Sequence, residues 1–374
     1  MSKIDNLIHS IYQNPVPYKR IGELCDISRG IVMSKDFIRE NEGPYPVYSS
    51  QTENNGELGK IKTYMFDGEY LTWTTDGANA GSVFYRTGKF SVTNVCGLLK
   101  VTNNLITTKF LYYALQIATK RFVNKGMGNP KLMSNVMSTI PVPVPPMEVQ
   151  DEIVRILDNF TELTAELTAE LTARKKQYEF YRSHLLKLGN VNQNSVRTVS
   201  IADIALVYRG IRVTKKDITS TGMYPVFQNA LAPMGYYDKA NVSKEKTYVI
   251  SAGAAGEIGY CDSDFWAADD CLVIDTNKAV LNKYVYYWLM ENQYYIKSQV
   301  RKASVPRLSR NIIEDLKINI PPIDIQKHIV DILDKFYLLN EDISCGLPSE
   351  IAFRTKQYEF YRDRLLNFRR TDNE

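Results

Sequence analysis

Histidine is scarce in this 374-residue chain: His9, His184 and His328 are the full set, far apart in sequence, so no histidine-based metal site is expected. The five cysteines (Cys25, Cys96, Cys261, Cys271, Cys345) are dispersed and form no Cys-x-x-Cys pair, which suits a reducing cytoplasm better than a disulfide framework. No run of eighteen apolar residues occurs, so no membrane span is expected. The opening Met1-Ser2-Lys3-Ile4-Asp5-Asn6 has no apolar stretch, so no secretory signal is expected. A charge excess is missing too: the net +4 neither demands nor excludes nucleic acid, and the case must rest on local charge. There is no Gly-x-x-x-x-Gly-Lys-[Ser/Thr] loop, no Asn-Pro-Pro-Tyr-type tetrad and no defensible carboxylate spacing for a metal nuclease. Gly253-Ala254-Ala255-Gly256 lacks the strand and helix context of a dinucleotide fingerprint and reads as a tight turn. No catalytic constellation and no bound cofactor or metal are therefore expected on this chain.

What the chain has is a long internal repeat. Lys176-Gln177-Tyr178-Glu179-Phe180-Tyr181-Arg182 returns letter for letter as Lys356-Gln357-Tyr358-Glu359-Phe360-Tyr361-Arg362. Pro145-Pro146-Met147-Glu148-Val149-Gln150 answers Pro321-Pro322-Ile323-Asp324-Ile325-Gln326. Arg29-Gly30-Ile31 returns as Arg209-Gly210-Ile211, and Lys109-Phe110-Leu111-Tyr112-Tyr113 as Lys283-Tyr284-Val285-Tyr286-Tyr287. A period this long means two copies of a domain-plus-helix unit.

The expected organisation is a short helix within 1–18, a globular unit over 19–147, a helix and polar linker over 148–197, a second globular unit over 198–322 and a second helix over 323–374. Strand-like runs include Pro46-Val47-Tyr48, Tyr70-Leu71-Thr72-Trp73-Thr74, Ser82-Val83-Phe84-Tyr85 and Gly97-Leu98-Leu99-Lys100-Val101, with a helix over 109–120. Pro141, Pro143, Pro145 and Pro146 predict a stiff extended hinge. Helical spacing then runs from Val149 to Leu188 without Gly or Pro, a helix roughly 60 Å long. The second helix is expected to break at Gly346-Leu347-Pro348, with Ser349 as a new N-cap.

Each helix carries acids first and bases last. That suits any helix dipole, but antiparallel pairing also sets each acidic half against the other's basic half. The stripes Ile153, Leu157, Phe160, Tyr178, Tyr181, Leu185 and Ile329, Leu333, Phe336, Tyr358, Tyr361, Leu365 would supply the buried seam. The fold class expected is α+β: two globular α/β recognition domains related by a pseudo-two-fold axis and separated by an antiparallel coiled coil of two long helices. One chain would then present the geometry of a dimeric DNA reader.

Candidate DNA contacts are loop residues able to grip phosphate or reach base edges. In the first unit they are Arg29, Ser50, Gln51, Thr74, Asn79, Lys125, Asn129 and Lys131. In the second they are Arg209, Arg212, Gln228, Asn229, Ser251, Lys302, Ser304 and Arg307, with Arg301 in the same loop. Any one basic loop is more often a solvated turn; the signal strengthens because 125–131 and 301–307 occupy equivalent places in the repeat. Tyr178, Tyr181, Arg182, Tyr358, Tyr361 and Arg362 are the candidates for docking partner proteins.

The tandem units, the paired Pro-Pro-x-x-x-Gln and Lys-Gln-Tyr-Glu-Phe-Tyr-Arg blocks and the Thr-Ala-Glu-Leu repeat within 161–173 together resemble the specificity subunit of type I restriction–modification enzymes. The resemblance spans nearly the whole chain. It implies a sequence-specific DNA-binding subunit in which each globular domain reads one half of a split site and the helices set the spacing. It also implies two modification (methyltransferase) subunits as partners, and restriction subunits in a full complex. S-adenosylmethionine, Mg and ATP would then be bound only by those partners. Two other readings stay open from the residues alone: a coiled-coil scaffold that binds no DNA, and a self-contained DNA-modifying enzyme. The second helix departs from the pattern, since it lacks the Thr-Ala-Glu-Leu tract.

Overall fold

The structure, a computed structural model, describes residues 3–126, 128–189, 191–214, 216–340 and 346–371. It divides into two compact units, and neither is a continuous stretch of one repeat copy. The first is Met1–Glu166 with Ile351–Glu374; the second is Leu167–Glu350. Each unit thus takes its globular part from one copy and its Lys-Gln-Tyr-Glu-Phe-Tyr-Arg block from the other. Among the described residues, no helix is long and apolar enough to cross a membrane.

In the first unit, short apolar runs pair into a six-stranded sheet whose central strands are buried in continuous stretches. Its order is Cys25–Arg29, Cys96–Val101, Phe66–Thr74, Val83–Val92, Glu42–Tyr48, Glu57–Ile61. All neighbours are antiparallel except Glu42–Tyr48 against Val83–Val92. The helix Thr108–Ala118 packs Phe110, Leu111, Ala114 and Leu115 into the core beside Trp73 and Leu71. Thr107 caps it by accepting from the Phe110 amide at 3.2 Å.

The second unit repeats the first four strands of that order: Ala205–Arg209, Cys271–Thr276, Lys246–Ile250, Ile258–Cys261. Its outer strands separate into a three-stranded sheet of Gly235–Tyr237, Tyr224–Phe227 and Trp266–Ala267. That sheet closes over an apolar cluster of Phe227, Tyr248 and Phe265. Its helix Asn282–Glu291 buries Tyr284, Val285, Tyr287 and Leu289.

The repeated Pro-Pro-x-x-x-Gln block acquires a physical reason. Gln150, fully buried, donates to the carbonyls of Pro145 (2.9 Å) and Leu105 (2.8 Å) and accepts from the Thr107 amide (2.9 Å). Gln326 does the same with Pro321 (2.8 Å), Ala279 (3.4 Å) and the Leu281 amide (2.9 Å). One side-chain amide therefore satisfies the backbone at the start of two helices at once.

The long helix is Met147–Leu186, 40 residues. In the first unit the contacts Thr107–Gln150 and Tyr113–Asp158 run Thr108–Ala118 alongside it in the same direction. Tyr358–Gln116 and Phe368–Phe110 run the C-terminal helix, Leu347–Leu365, in the opposite direction. The two stalk segments of this unit are therefore antiparallel. Phe160 stacks on Tyr361 at 5.6 Å, and in the second unit Phe336 stacks on Tyr181 at 5.4 Å. Ile153, Leu157, Ile329, Leu333 and Leu365 are buried as expected; Tyr181 stays 38% exposed at the seam's edge.

Three local expectations need correction. The proline run is extended, as expected, but Pro141–Pro143 is no hinge: it is a strand paired antiparallel to Tyr18–Arg20, an edge position where a missing N–H is tolerated. Ser349 is not an N-cap. The helix starts at Leu347, putting Pro348 in the first turn, where its missing N–H has no intrahelical acceptor to lose. The preceding helix ends at Asn340, and 341–345 lie outside the described residues. The polar linker is partly core, since Val191 and Val196 pack with buried Leu188 against the second unit.

Candidate nucleic-acid interface

Each unit presents its basic loop through the same clip. In the first, the Asn124 amide donates to Lys131 O at 2.9 Å and the Lys131 amide returns to Asn124 O at 3.0 Å. The Leu132 amide then donates to Thr75 O at 2.8 Å, and the Trp73 indole donates to Leu132 O at 2.9 Å. In the second, Arg301 and Arg307 exchange the same pair of bonds (2.9 and 3.2 Å), and the Leu308 amide donates to Ser251 O at 2.8 Å. Leu132 and Leu308 are buried anchors, so the loop tips are held outward from a fixed base.

On the loops and the clips that close them, Lys125, Asn129 and Lys131, and Arg301, Lys302, Ser304 and Arg307, are all exposed. None of these cations forms an ion pair among the described residues, so each is free to meet an anion. Asn129 and Lys131, with Asn124, Gly126 and Gly128, line a shallow cavity of about 230 Å³. Met127 lies outside the described residues. Arg209, Arg212 and Asn229 are also exposed, and Ser50 and Gln228 are half-buried, with the Gln228 amide donating to Asp270 at 3.4 Å.

Other expected contacts bond within the unit, and two of them, Thr74 and Ser251, are buried. Thr74 is fully buried; its hydroxyl donates to Asn79 O and accepts from the Ser82 amide at 3.1 Å, bracing the 74–82 loop. Ser251 is buried and donates to Asp270 O at 2.9 Å. Gln51 is half-buried and donates to Glu57 O, and Asn79 donates to Thr52 Oγ1 at 2.9 Å. Arg29 donates to Ser134 Oγ at 3.1 Å and to Met133 Sδ at 3.5 Å, tying the strand end to the loop that follows the clip. Its neighbour explains the Arg-Gly-Ile repeat. A Cβ on Gly30 would lie 1.7 Å from Val92 O, and one on Gly210 would lie 2.1 Å from Ala267 O. Only glycine permits that backbone crossing.

The six candidate docking residues are engaged inside their own units. Tyr181 and Tyr361 stack as described, Tyr178 lies 6.3 Å from Phe336, and the Tyr358 hydroxyl donates to Gln116 at 3.0 Å. Arg182 pairs with Glu291 at 2.9 Å and Arg362 with Asp363 at 2.7 Å. The most exposed apolar side chains of the two blocks are Phe180 (65% exposed) and Phe360 (48%), absent from the sequence-based set although their apolar character in a charged block was visible.

Burial holds the Cys25, Cys96 and Cys271 thiols up at about 12, so they carry no thiolate at neutral pH. Arg86 was also missed. It is 3% exposed, stacks 3.6 Å from the Tyr48 ring centroid, and donates to Thr72 Oγ1 (3.1 Å) and Asn55 O (2.7 Å). Burial pulls its pKa down.

Comparison with known proteins agrees with this arrangement. Residues 15–174 and 194–352 match the family described as type I restriction modification DNA specificity domain. A candidate type I specificity subunit of Mycoplasma pneumoniae is 33% identical over 356 residues, covering 93% of this chain and 97% of that protein. The specificity subunit of the type I restriction enzyme MpnII from the same organism is 43% identical over 198 residues, 51% of this chain and 60% of the relative. The crystal structure of a type I restriction–modification S subunit from M. genitalium superposes with a TM-score of 0.71 at 19% identity, over 95% of this chain and 97% of that one, a likeness of fold.

Proposed function

Because the chain belongs to the type I restriction–modification DNA specificity family, a subunit that recognises DNA targets, we propose that each unit reads one half of a bipartite site through its clipped basic loop. The observation that carries this is the pairing of Asn124 with Lys131 and of Arg301 with Arg307: one scaffold device, used twice, with different side chains on its tips. Lys125, Lys131, Arg301, Lys302 and Arg307 grip phosphate or guanine edges, with Asn129, Asn229, Arg209 and Arg212 alongside. The helices set the distance between half-sites and dock the partner subunits, with Phe180 and Phe360 as outward anchors. The chain is the non-catalytic member of the complex. Methyl transfer is done by modification subunits, two per chain to match the two units, and cleavage by restriction subunits. S-adenosylmethionine, Mg and ATP are bound by those partners.

The test is to map methylated motifs in DNA exposed to the chain with its modification subunit. The expected result is two short specified sequences separated by a fixed unspecified gap, and no methylation by the chain alone. A single continuous motif, or methylation by the isolated chain, overturns the reading.

A further inference from the structure

In the first unit, loop 78–83, the end of helix Thr108–Ala118 and the C-terminal helix enclose a cavity of about 350 Å³ lined by Asn79, Gly81, Ser82, Gln116, Lys120 and Arg362. Lys120 is exposed and has no ion-pair partner among the described residues. Arg362 keeps 13% of its side chain exposed and shares Asp363 at 2.7 Å. The cavity lining therefore carries two cations and no carboxylate, with Arg362 bonded to Asp363 outside it.

The second unit carries a different set of charges around this position: counting from the matched Tyr113 and Tyr287, Lys120 is replaced by Tyr294 and Val123 by Lys297. Gly81 (φ +84°) and Gly256 (φ +86°) occupy the same left-handed turn of the two copies. The residue after Gly256 is Glu257, which pairs with Lys297 at 2.8 Å; the residue after Gly81 is Ser82. Arg182, the counterpart of Arg362, pairs with Glu291 at 2.9 Å. Counting from the matched Tyr113 and Tyr287, the residue in the place of Glu291 is Ile117. Both carboxylates that balance charge in the second unit are thus uncharged in the first. The unbalanced charge flanks the 74–82 loop, whose other side bonds the basic clip through the Gly77 amide and Pro130 O at 3.0 Å.

We propose that this pocket holds a backbone phosphodiester of the bound duplex, gripped by Lys120 and Arg362 with Ser82 and Asn79 as neutral donors. It rests on the DNA-recognition reading and adds an anchor, present in the first unit and absent from the second, that carries no sequence information.

The test is duplex affinity across a salt series, for a cognate and an unrelated duplex, with the full-length chain assembled with modification subunits. Lys120→Gln is expected to weaken both duplexes by the same severalfold factor and to reduce the slope of log affinity against log salt by about 1. Ile117→Glu restores the carboxylate found in the second unit and is expected to reproduce that loss, while Ile117→Gln, of equal size, retains affinity. An unchanged slope in Lys120→Gln overturns the proposal, as does a loss confined to the cognate duplex, which marks a base contact. Lys120-dependent binding of inorganic phosphate with unaltered duplex affinity overturns it in favour of a free-anion site. If the wild-type assembly binds no duplex at all, the recognition reading itself has failed.

Discussion

The Tyr113 hydroxyl donates to Asp158 Oδ1 at 2.5 Å, joining the recognition unit's helix to the stalk helix. Lys109 completes the node, its Nζ 3.3 Å from Asp158 Oδ2 and 4.6 Å from the Tyr85 ring centroid. The second unit repeats it: Tyr287 donates to Asp334, with Lys283 at 3.0 Å from the same carboxylate and 5.0 Å from the Tyr260 ring. Loops diverge between copies while this node, which ties each unit's helix to its stalk segment, does not.

Removing the carboxylate strands a buried phenol. Asp158→Ala is expected to destabilise the first unit by about 1–3 kcal/mol, and Asp334→Ala the second by a similar amount. Thermal unfolding of the full chain reads both. Unchanged melting in both variants would show that the node carries no load.

Buried thiols predict alkaline lability. Cys25, Cys96 and Cys271 titrate at about 12 in the folded chain against an ordinary 9.0. Between those values the unfolded chain has lost protons that the folded chain retains, so stability is fully present below pH 9 and falls as pH rises through the window. Each thiol contributes at most about 1.4 kcal/mol per pH unit. Cys96→Ala is expected to start less stable because of the cavity it leaves, and to show a shallower decline from pH 9 to pH 11. Parallel melting curves against pH would contradict the assignment.

The Arg-Gly-Ile repeat makes a steric prediction. Gly210→Ala forces a methyl group to within 2.1 Å of the Ala267 carbonyl oxygen and must displace backbone. A loss of about 1–3 kcal/mol or more is expected, localised to the second unit. Hydrogen exchange of the Ala205–Arg209 strand is the readout; protection equal to wild type would sink the steric argument.

Much of this architecture was legible in the residues. The strand-like runs around Val47, Trp73, Phe84 and Leu99 lie in strands, the long helix lacks Gly and Pro, and Pro-Pro-x-x-x-Gln recurs because a buried glutamine has the same backbone to satisfy at both places. The identity of Lys-Gln-Tyr-Glu-Phe-Tyr-Arg in both copies says that both fit the same socket. It does not say that each fits the other copy's socket, which depends on long-range packing of Tyr361 on Phe160 and Tyr181 on Phe336. Side-chain direction was the less readable part. Thr74 and Ser251 look like loop donors but turn inward, since a tight loop base needs its own hydrogen bonds before it can offer any. Arg29 looks like a free cation, yet Ser134 and Met133, more than a hundred positions away, claim it.

The stalk offers a length prediction. One extra Thr-Ala-Glu-Leu unit inserted within 161–173 adds ~6 Å of helix, nearly two base-pair steps. Methylome mapping is expected to show unchanged half-sites with a wider gap. Altered half-sites with an unchanged gap would mean that the helix is not the spacer.

The most direct measurement is the methylated motif produced by two variants assembled with modification subunits, Lys131→Ala and Arg307→Ala. These residues close equivalent clips in different units. The account predicts that each variant relaxes or changes one half of the motif, that the halves differ between the two variants, and that the gap stays fixed. If either variant altered both halves together, or both variants altered the same half, the assignment of one unit to one half-site would be contradicted.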